Sequence, residues 1–221
     1  MRTSLFAGLS MVTLLAGCSG SVASNYRLQF DTEETSRLTL LSLAVTRVVE
    51  RRLETMGESV KGLDISQKEE GPELTFTVET EAAAALLRDD LTASFDLKIM
   101  RETKAGETPT IEIEGHGGFI ETGVTEEHLE WVEAAEELDN KGRITLSFSP
   151  EGRELMRTVF RQNVGRNIGL FVREKLVAKL QVDTAELKDD IIITGIPSPE
   201  LARVFADDVN VGLHVIFTPL P

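Results

Sequence analysis

The 221-residue sequence has little of several residue types that mark common protein classes. It contains one cysteine, one tryptophan and one tyrosine. A single cysteine cannot pair within the chain, so a disulfide-stabilised scaffold is excluded. Basic residues are also scarce, with 23 Lys and Arg against 37 Asp and Glu and a formal net charge of -14. This charge argues against a nucleic-acid partner, because phosphate recognition needs a basic surface.

Long apolar runs are confined to the N-terminal end of the sequence, and the rest is too rich in charge for a polytopic membrane protein. The length suits one large domain or two small ones with a proper core. There is no Gly-x-Ser-x-Gly elbow. The glycine-rich stretch Gly115–Gly118 lacks the lysine of a phosphate-binding loop. These absences predict a non-catalytic protein without a cofactor.

The first eighteen residues have the organisation of an export signal. Arg2 supplies a positive charge, and Leu5 to Leu15 form an apolar run too short to cross a bilayer. The run ends in Leu15-Ala16-Gly17-Cys18, which resembles the lipobox of bacterial lipoproteins. The resemblance implies removal of residues 1–17 and attachment of lipid at Cys18, which would anchor the chain to a membrane. An ordinary cleaved signal peptide with an incidental cysteine is the alternative.

Residues 18–25 are mostly polar and predict a short lipidated tether between the anchor and the folded part. Ser19, rather than an aspartate, follows the cysteine. By resemblance to the sorting rule of enterobacteria, this favours the outer membrane. The expected location is therefore a bacterial cell envelope, on the side facing away from the cytoplasm.

Residues 26–103 predict a ferredoxin-like half with the order βαββαβ. Apolar alternation predicts strands at Tyr26–Phe30, Leu63–Ile65, Leu74–Val78 and Phe95–Ile99. Helices are expected from a cap at Thr35 or Ser36 to about Met56, and from a Thr80 cap through Leu91. The polar residues 102–109, with a glycine and a proline, predict a linker to the second half.

Residues 104–221 predict a second α+β half with helices on one face of a mostly antiparallel sheet. Strands are expected at Thr110–Glu114, Ile144–Phe148, Ile168–Val172, Leu176–Val182, Ile191–Ile193 and Leu213–Phe217. The repeated Ser-Pro-Glu at 149–151 and 198–200 predicts two helix starts, because serine caps free N–H groups and proline fits the first turn. An acidic helix is expected from Thr125 to about Asp139, closed by Asn140 and Gly142.

An ordered set of short motifs runs through the C-terminal half. They are Phe148-Ser149-Pro150-Glu151-Gly152, Thr158, Asn163-Val164-Gly165-Arg166-Asn167-Ile168-Gly169-Leu170, Ile193-Thr194-Gly195 and Val209-Asn210-Val211-Gly212-Leu213. Their order and spacing resemble the large first periplasmic domain of the SecD family, accessory subunits of the bacterial Sec translocon. The stretch from Val48 to Leu53, with Gly57, extends the likeness more loosely to residues 26–221.

The sequence departs from the SecD pattern in several places. SecD usually has Asp-Gly at the hairpin where this chain has Arg173-Glu174, and the membrane helices with their proton-relay charges are missing. What the resemblance implies is a SecD-like base-plus-head module that handles exported polypeptides, without proton-driven translocation. Free strand edges and a cleft between the halves would hold an extended chain through its backbone.

The segment around residues 157–166 is the candidate polypeptide-binding site. Arg157 and Arg161 share a helix face at i, i+4, and Gly165 would let a ligand backbone approach Asn163 and Arg166. The alternative is that the arginines pair with nearby glutamates such as Glu151 and Glu154.

Other candidate sites have simple structural explanations. His116, His128 and His214 show no metal-ligand spacing, so no metal is expected. On the predicted acidic helix, Glu126, Glu130, Glu133 and Glu137 form a stripe that would collect calcium, dock a basic partner or only face solvent. His128 on that helix is expected to face solvent.

These patterns predict a lipid-anchored binding protein for unfolded polypeptide, acting in export or envelope biogenesis. A structural envelope scaffold with one fixed protein partner is the alternative. A hydrolase would need a pocket with a convergent histidine and carboxylate.

Overall fold

Strand β1 spans Val22–Phe30 and opens the part of the chain that the computed structural model describes, residues 21–186 and 190–221. The predicted signal sequence, Cys18 and the start of the predicted tether lie outside these residues. Residues 22–25, predicted as tether, instead belong to the strand. They pair with residues 75–78, so the polar Ser24 and Asn25 are held by sheet hydrogen bonding that composition alone does not reveal.

The other elements are all short to medium in length. The helices are α1 (Thr35–Thr55), α2 (Glu81–Thr92), α3 (Pro150–Gln162) and α4 (Pro199–His214). The remaining strands are β2 (Lys61–Lys68), β3 (Gly71–Val78), β4 (Leu97–Glu102), β5 (Ile111–Ile113), β6 (Gly117–Thr125), β7 (Leu129–Glu137), β8 (Lys141–Phe148), β9 (Asn167–Val172), β10 (Lys175–Gln181), β11 (Ile191–Ile196) and β12 (Val215–Pro219). Every strand pair among the described residues is antiparallel, which confirms the predicted α+β class.

A four-stranded sheet with the order β12-β1-β3-β2 forms the base of the molecule. This is the ferredoxin-like order, but the fourth strand comes from the end of the sequence. In β12, Phe217 lies opposite Leu28 and Val215 opposite Phe30. The prediction that Phe95–Ile99 supplies the fourth strand is therefore wrong. We call β1, α1, β2, β3, α2 and β12 the base.

The second half is inserted into the base rather than following it. Strand β4 pairs with β9 and β6 in a five-stranded sheet, β10-β9-β4-β6-β5. A three-stranded sheet, β11-β8-β7, completes this part. We call β4 to β11, with α3, the head; helix α4 leads from it back to the base. The predicted boundary between residues 103 and 104 is wrong. The alternation of apolar and polar residues in β4 predicts a half-buried strand, but it does not predict which strand pairs with it.

Residues 103–110 form a loop between β4 and β5 inside the head, not a linker between the halves. Glu107 fixes this loop by accepting a 3.0 Å bond from Arg101 Nη2 and a 2.7 Å bond from the Lys104 backbone N–H. The Arg101 guanidinium and that N–H hold the pKa of Glu107 at about 2. The polar composition that predicted a linker therefore belongs to an anchored loop.

The acidic helix predicted from Thr125 to Asp139 is absent among the described residues. Only Glu126–His128 make one 3₁₀ turn, and β7 follows it. Glutamate and alanine favour helices, but pairing with β8 and packing under α4 override that weak preference. Asp139 and Asn140 have φ of 62° and 56°, the left-handed pair that turns a hairpin rather than ending a helix.

Several local predictions are confirmed. The Ser149 and Ser198 hydroxyls accept the N–H groups of Gly152 and Leu201 at the starts of α3 and α4. Thr80 caps α2 by accepting the Ala83 N–H. The prediction that Thr35 or Ser36 caps α1 is wrong. Thr35 is the first helical residue, and Glu34 at the cap position makes no side-chain hydrogen bond to the helix.

The base and the head have separate apolar cores. The base core gathers Tyr26, Leu28, Leu53 and Phe76 with residues from β12. The head core lies between its two sheets and the helices α3 and α4. Helix α4 contacts both α1 and β7, so it is the main connection between the two parts. Within the described ranges, no helix is long and apolar enough to cross a bilayer.

Candidate functional site

A cleft of about 550 Å³ lies where the base, the head and α4 meet. Its apolar wall comes from both parts of the molecule: Met56, Leu91, Phe95, Val172, Val204, Val211, Val215 and Phe217. Its volume falls in the range of ordinary ligand pockets and leaves room for a few residues of an extended chain. The insertion of the head creates this cleft, because α2 and β12 are the points where the chain leaves and re-enters the base.

Three arginines and two aspartates line the same cleft. Arg52 Nη1 lies 2.6 Å from Asp90 Oδ2, and Arg173 pairs with the other oxygen of the same carboxylate. Arg51 reaches Asp208, with 2.9 Å between Nη2 and Oδ1. Guanidinium groups in an acidic protein are therefore concentrated beside an apolar wall.

Asp207 lies behind the cleft and ties α4 to α1. Its carboxylate accepts two 2.7 Å bonds from Arg47, one from Nε and one from Nη2, and lies 3.4 Å from Arg51 Nη1. The Asp207 side chain is 8% exposed, so its carboxylate is largely removed from water. The hydrogen bond to Asp207 raises the pKa of Arg47. This two-point contact fixes the angle between the helices that form one side of the cleft.

Two backbone features place residues in the cleft. Gly212 has no room for a side chain, because an added Cβ would overlap the ring of Phe95. Phe95 therefore packs directly against α4. On the opposite side, Arg173 and Glu174 take left-handed φ angles of 48° and 64° in the β9–β10 hairpin. The hairpin was expected from sequence, and its geometry directs Arg173 toward Asp90 of the base.

The strand edges are less open than the sequence suggested. Edge strands β2, β7, β10 and β11 each contain a β-bulge. Strand β5 has three residues, and β12 ends in Pro219. In β10, Lys175 and Lys179 add charge. Bulges, short length, proline and lysine are the devices that discourage strand addition. The cleft is therefore a better candidate site than the edges.

The edge of β7 is blocked by a side chain. The Val132 N–H donates to Asn210 Oδ1 at 2.9 Å, and Asn210 Nδ2 donates to the Val132 carbonyl at 2.7 Å. The carboxamide thus replaces a neighbouring peptide group. This bond pair explains why a polar residue is 6% exposed in the middle of α4.

The predicted polypeptide-binding residues do not line the cleft. Arg157 pairs with Glu154, as the alternative explanation held, and Arg161 Nε donates to the Arg157 carbonyl at 3.3 Å. Asn163 is 1% exposed and ends α3, with Nδ2 donating to the Val159 carbonyl at 2.7 Å. A residue this buried cannot contact a chain at the surface.

The last two predicted site residues form the turn after α3. Gly165 has φ of 77°, and its N–H donates to the Val182 carbonyl at 2.8 Å, while the Arg166 N–H donates to the Asn163 carbonyl at 3.0 Å. Both therefore have a clear role in joining α3 to β9. Binding of polypeptide by the exposed Arg157 and Arg161 stays a prediction.

Each histidine has a structural contact. The carbonyl of His116 accepts from Lys179 Nζ at 2.9 Å in an exposed turn. His128 Nδ1 accepts the Thr125 N–H at 3.1 Å within the 3₁₀ turn, not on a solvent-facing helix. His214 Nδ1 lies 2.8 Å from Asp31, and its ring stacks on Trp131.

The acidic stripe does not exist as a single face. Glu126 sits in the 3₁₀ turn, where its carboxylate accepts the Leu97 N–H at 3.1 Å. Glu130 and Glu133 are exposed on β7, and Glu137 accepts the Gly195 N–H at 3.2 Å. The four carboxylates lose their common direction once the segment is a bulged strand. The proposed calcium or basic-partner surface therefore has no basis in this fold.

Sequence reasoning missed the cleft residues, although two signals pointed to them. The Arg51-Arg52 pair and the unusual Arg173-Glu174 hairpin were both visible in the resemblance to SecD. They lie far apart in sequence, and only the insertion topology brings them together.

Comparison with known proteins supports the fold. No protein-family model matches the sequence, and a search of curated proteins finds no significant relative. The crystal structure of SecDF from Thermus thermophilus, a translocon-associated membrane protein, is similar with a TM-score of 0.51 and 19% identity. The match covers 89% of this chain and 30% of that chain. This likeness confirms the predicted SecD-like fold.

Two further SecDF structures are similar at lower scores. One, a membrane component that enhances protein export, gives a TM-score of 0.47 and 21% identity, over 90% of this chain and 98% of that chain. The other, SecDF in a super-membrane-facing form, gives 0.48 and 19%, over 91% and 30%. The chain thus spans about a third of the two longer SecDF chains.

Proposed function

We propose that this protein is a lipid-anchored, non-catalytic module of the bacterial cell envelope that binds extended polypeptide in the cleft between base and head. The proposed setting is protein export or envelope biogenesis. The observation that carries the proposal is the cleft itself, which combines an apolar wall with arginines and lies between two separately packed parts. The fold likeness to a translocon-associated protein supports the setting.

The cleft chemistry suits an unfolded chain better than a folded one. Apolar side chains exposed in an unfolded segment gain by contact with the accessible apolar side chains of the cleft, such as Met56 and Val204. A folded domain keeps such side chains inside and is too large for a space of about 550 Å³. The protected strand edges fit the same picture, because they limit indiscriminate pairing with other chains.

Binding can be tested with the full chain carrying Cys18→Ser, which prevents lipid attachment. A permanently unfolded polypeptide and its folded counterpart would be compared by fluorescence anisotropy. We expect Val204→Trp, which fills the cleft, to weaken binding of the unfolded polypeptide about tenfold, or roughly 1.4 kcal/mol. Leu201→Trp is the matched control, because this residue lies on the same helix, is 52% exposed and does not line the cleft.

Equal affinity for folded and unfolded polypeptide, or an equal effect of both tryptophans, would contradict the cleft proposal. Crosslinking in cells separates it from the scaffold alternative. A polypeptide-binding protein should trap many clients, whereas a scaffold should trap one or two fixed partners.

The lipid anchor makes a separate prediction. Three residues separate Cys18 from Val22 at the start of β1, so the proposed point of lipid attachment would lie within roughly 14 Å of the base, the reach of four extended Cα–Cα steps. Cys18→Ser is expected to move most of the protein from the membrane to the soluble fraction and to abolish labelling by a fatty acid. A mature wild-type protein with a free thiol at Cys18 would refute the anchor without affecting the cleft.

A further inference from the structure

Two arginines from different parts of the molecule converge on one carboxylate in the cleft. Arg52 comes from α1 of the base and Arg173 from the β9–β10 hairpin of the head, and each takes one oxygen of Asp90. Arg173 Nη2 also lies 3.3 Å from the Asp90 backbone carbonyl. Each guanidinium has five N–H donors, so most donors on both are left over for another acceptor.

The charges around Asp90 are not balanced. Asp208 and Asp207 are engaged by Arg51 and Arg47, so Asp90 alone faces both Arg52 and Arg173. Burial lowers the pKa of Arg52; the carboxylates of Asp90 and Asp208 oppose this shift, and the positive charges of Arg173 and Arg51 add to it. The cleft lining carries three guanidinium groups against two carboxylates, and this excess of one positive charge favours the arrival of an anion. This is an unusual local excess in a chain of net charge -14.

The turn of the β9–β10 hairpin positions Arg173. A left-handed φ of 48° costs a residue with a Cβ on the order of 1 kcal/mol, and glycine would avoid that cost. The strained turn is held by the Arg173 N–H, which donates to the Asp96 carbonyl at 2.9 Å. Together with the left-handed Glu174, this conformation makes the two-residue hairpin turn that holds Arg173 beside Asp90.

We propose that the cleft prefers apolar polypeptide segments that carry a carboxylate, and that Arg52 and Arg173 receive that carboxylate. The inference rests on the proposed function and adds the chemical class of the bound segment. The carboxylate of the bound segment accepts hydrogen bonds from the N–H groups of Arg52 and Arg173 that are not bonded to Asp90. A guanidinium group can donate two parallel hydrogen bonds to one carboxylate. The flanking apolar side chains of the segment lie against Met56, Phe95 and Val204.

A polypeptide fits this site better than a fatty acid. The cleft runs between the two parts of the protein and is partly open to solvent, so a chain can enter from the side. An acyl chain, in contrast, is bound best when most of its surface is enclosed.

The test compares three versions of one apolar decapeptide, using the full chain with Cys18→Ser. The first version has a free C-terminal carboxylate, the second a C-terminal amide, and the third a C-terminal lysine amide. We expect the carboxylate to bind about tenfold more tightly than the amide at low salt, and the lysine peptide to bind most weakly. The advantage should shrink at high salt, because screening weakens the contact.

Arg173→Gln should lower the affinity for the carboxylate peptide about tenfold, bringing it close to the affinity for the amide peptide. Arg173→Gly is the second variant, since glycine suits the left-handed turn and keeps the fold. Arg203→Gln is the control, because Arg203 lies on α4 outside the cleft and its side chain is 54% exposed.

The outcomes separate the two proposals. If carboxylate and amide bind equally and Arg173→Gly changes nothing, this inference is overturned while the proposed function stands. If no version binds, both fail. Oleate that binds more tightly than the peptide, in an Arg173-dependent manner, would overturn the polypeptide as the occupant.

Discussion

Replacing Phe217 by alanine is expected to destabilise the protein by about 3–5 kcal/mol, the usual cost of removing a buried aromatic ring. Phe217 is 7% exposed in β12, and its ring meets Tyr26 edge-on with centroids 6.2 Å apart. The loss is large because β12 completes the base sheet and its core. The free energy of unfolding, measured in urea, checks the prediction.

Ile216→Ala provides the matched control for Phe217→Ala. Ile216 is the preceding residue of the same strand, but its side chain is 60% exposed. Its replacement should change the free energy of unfolding by less than about 1 kcal/mol. Similar effects of the two substitutions would mean that the C-terminal strand is not part of the base core.

Asp207→Ala should cost about 3 kcal/mol, because it removes one side of a largely buried ion pair. Arg47 then loses both of its hydrogen bonds to the carboxylate, and Arg51 loses a nearby negative charge. The figure lies at the low end for buried pairs, since the Arg47 side chain is 35% exposed and can partly rehydrate. Thermal and urea unfolding would both report the change.

The neighbouring substitution Asp208→Ala is the matched control. It removes the same charge, but from an exposed position, so it distinguishes the effect of burial on stability from the effect of net charge. Asp208 also pairs with an arginine, but its side chain is 44% exposed, so the loss should stay below about 1 kcal/mol. If Asp208→Ala is as damaging as Asp207→Ala, net charge rather than the buried contact between α1 and α4 would be responsible.

Local structure could be predicted from the sequence wherever the signal is local. Ser149 and Ser198 cap helices through their own hydroxyls, and the Arg173-Glu174 hairpin follows from its flanking apolar strands. The prediction of a helix in the β7 segment was wrong because it rested on the small preference of glutamate and alanine for helix. The pairing with β8 and the packing under α4, which favour the strand, are not visible in the sequence. Asp139-Asn140 was the available sign of a hairpin.

The topology and the site required information that spans the whole chain. Strand β4 alternates just as a fourth base strand would, yet β12 occupies that position beside β1. The cleft depends on the position of β12 in the base sheet and of β4 in the head. This arrangement brings Arg52, Asp90 and Arg173 together from three separate segments. The segment at 157–166 looked more promising because its arginines are close in sequence.

The pairing of β1 with β12 also determines the order in which the two parts of the nascent chain can fold. Leu28 leaves the ribosome early, but its partner Phe217 is made only after the whole inserted head. The inserted part can pack while β1 still waits with one side unpaired, a state open to misassembly. The base sheet is therefore complete only when the head and β12 have both been made, and a product that stalls before β12 should be an early substrate for quality-control proteases.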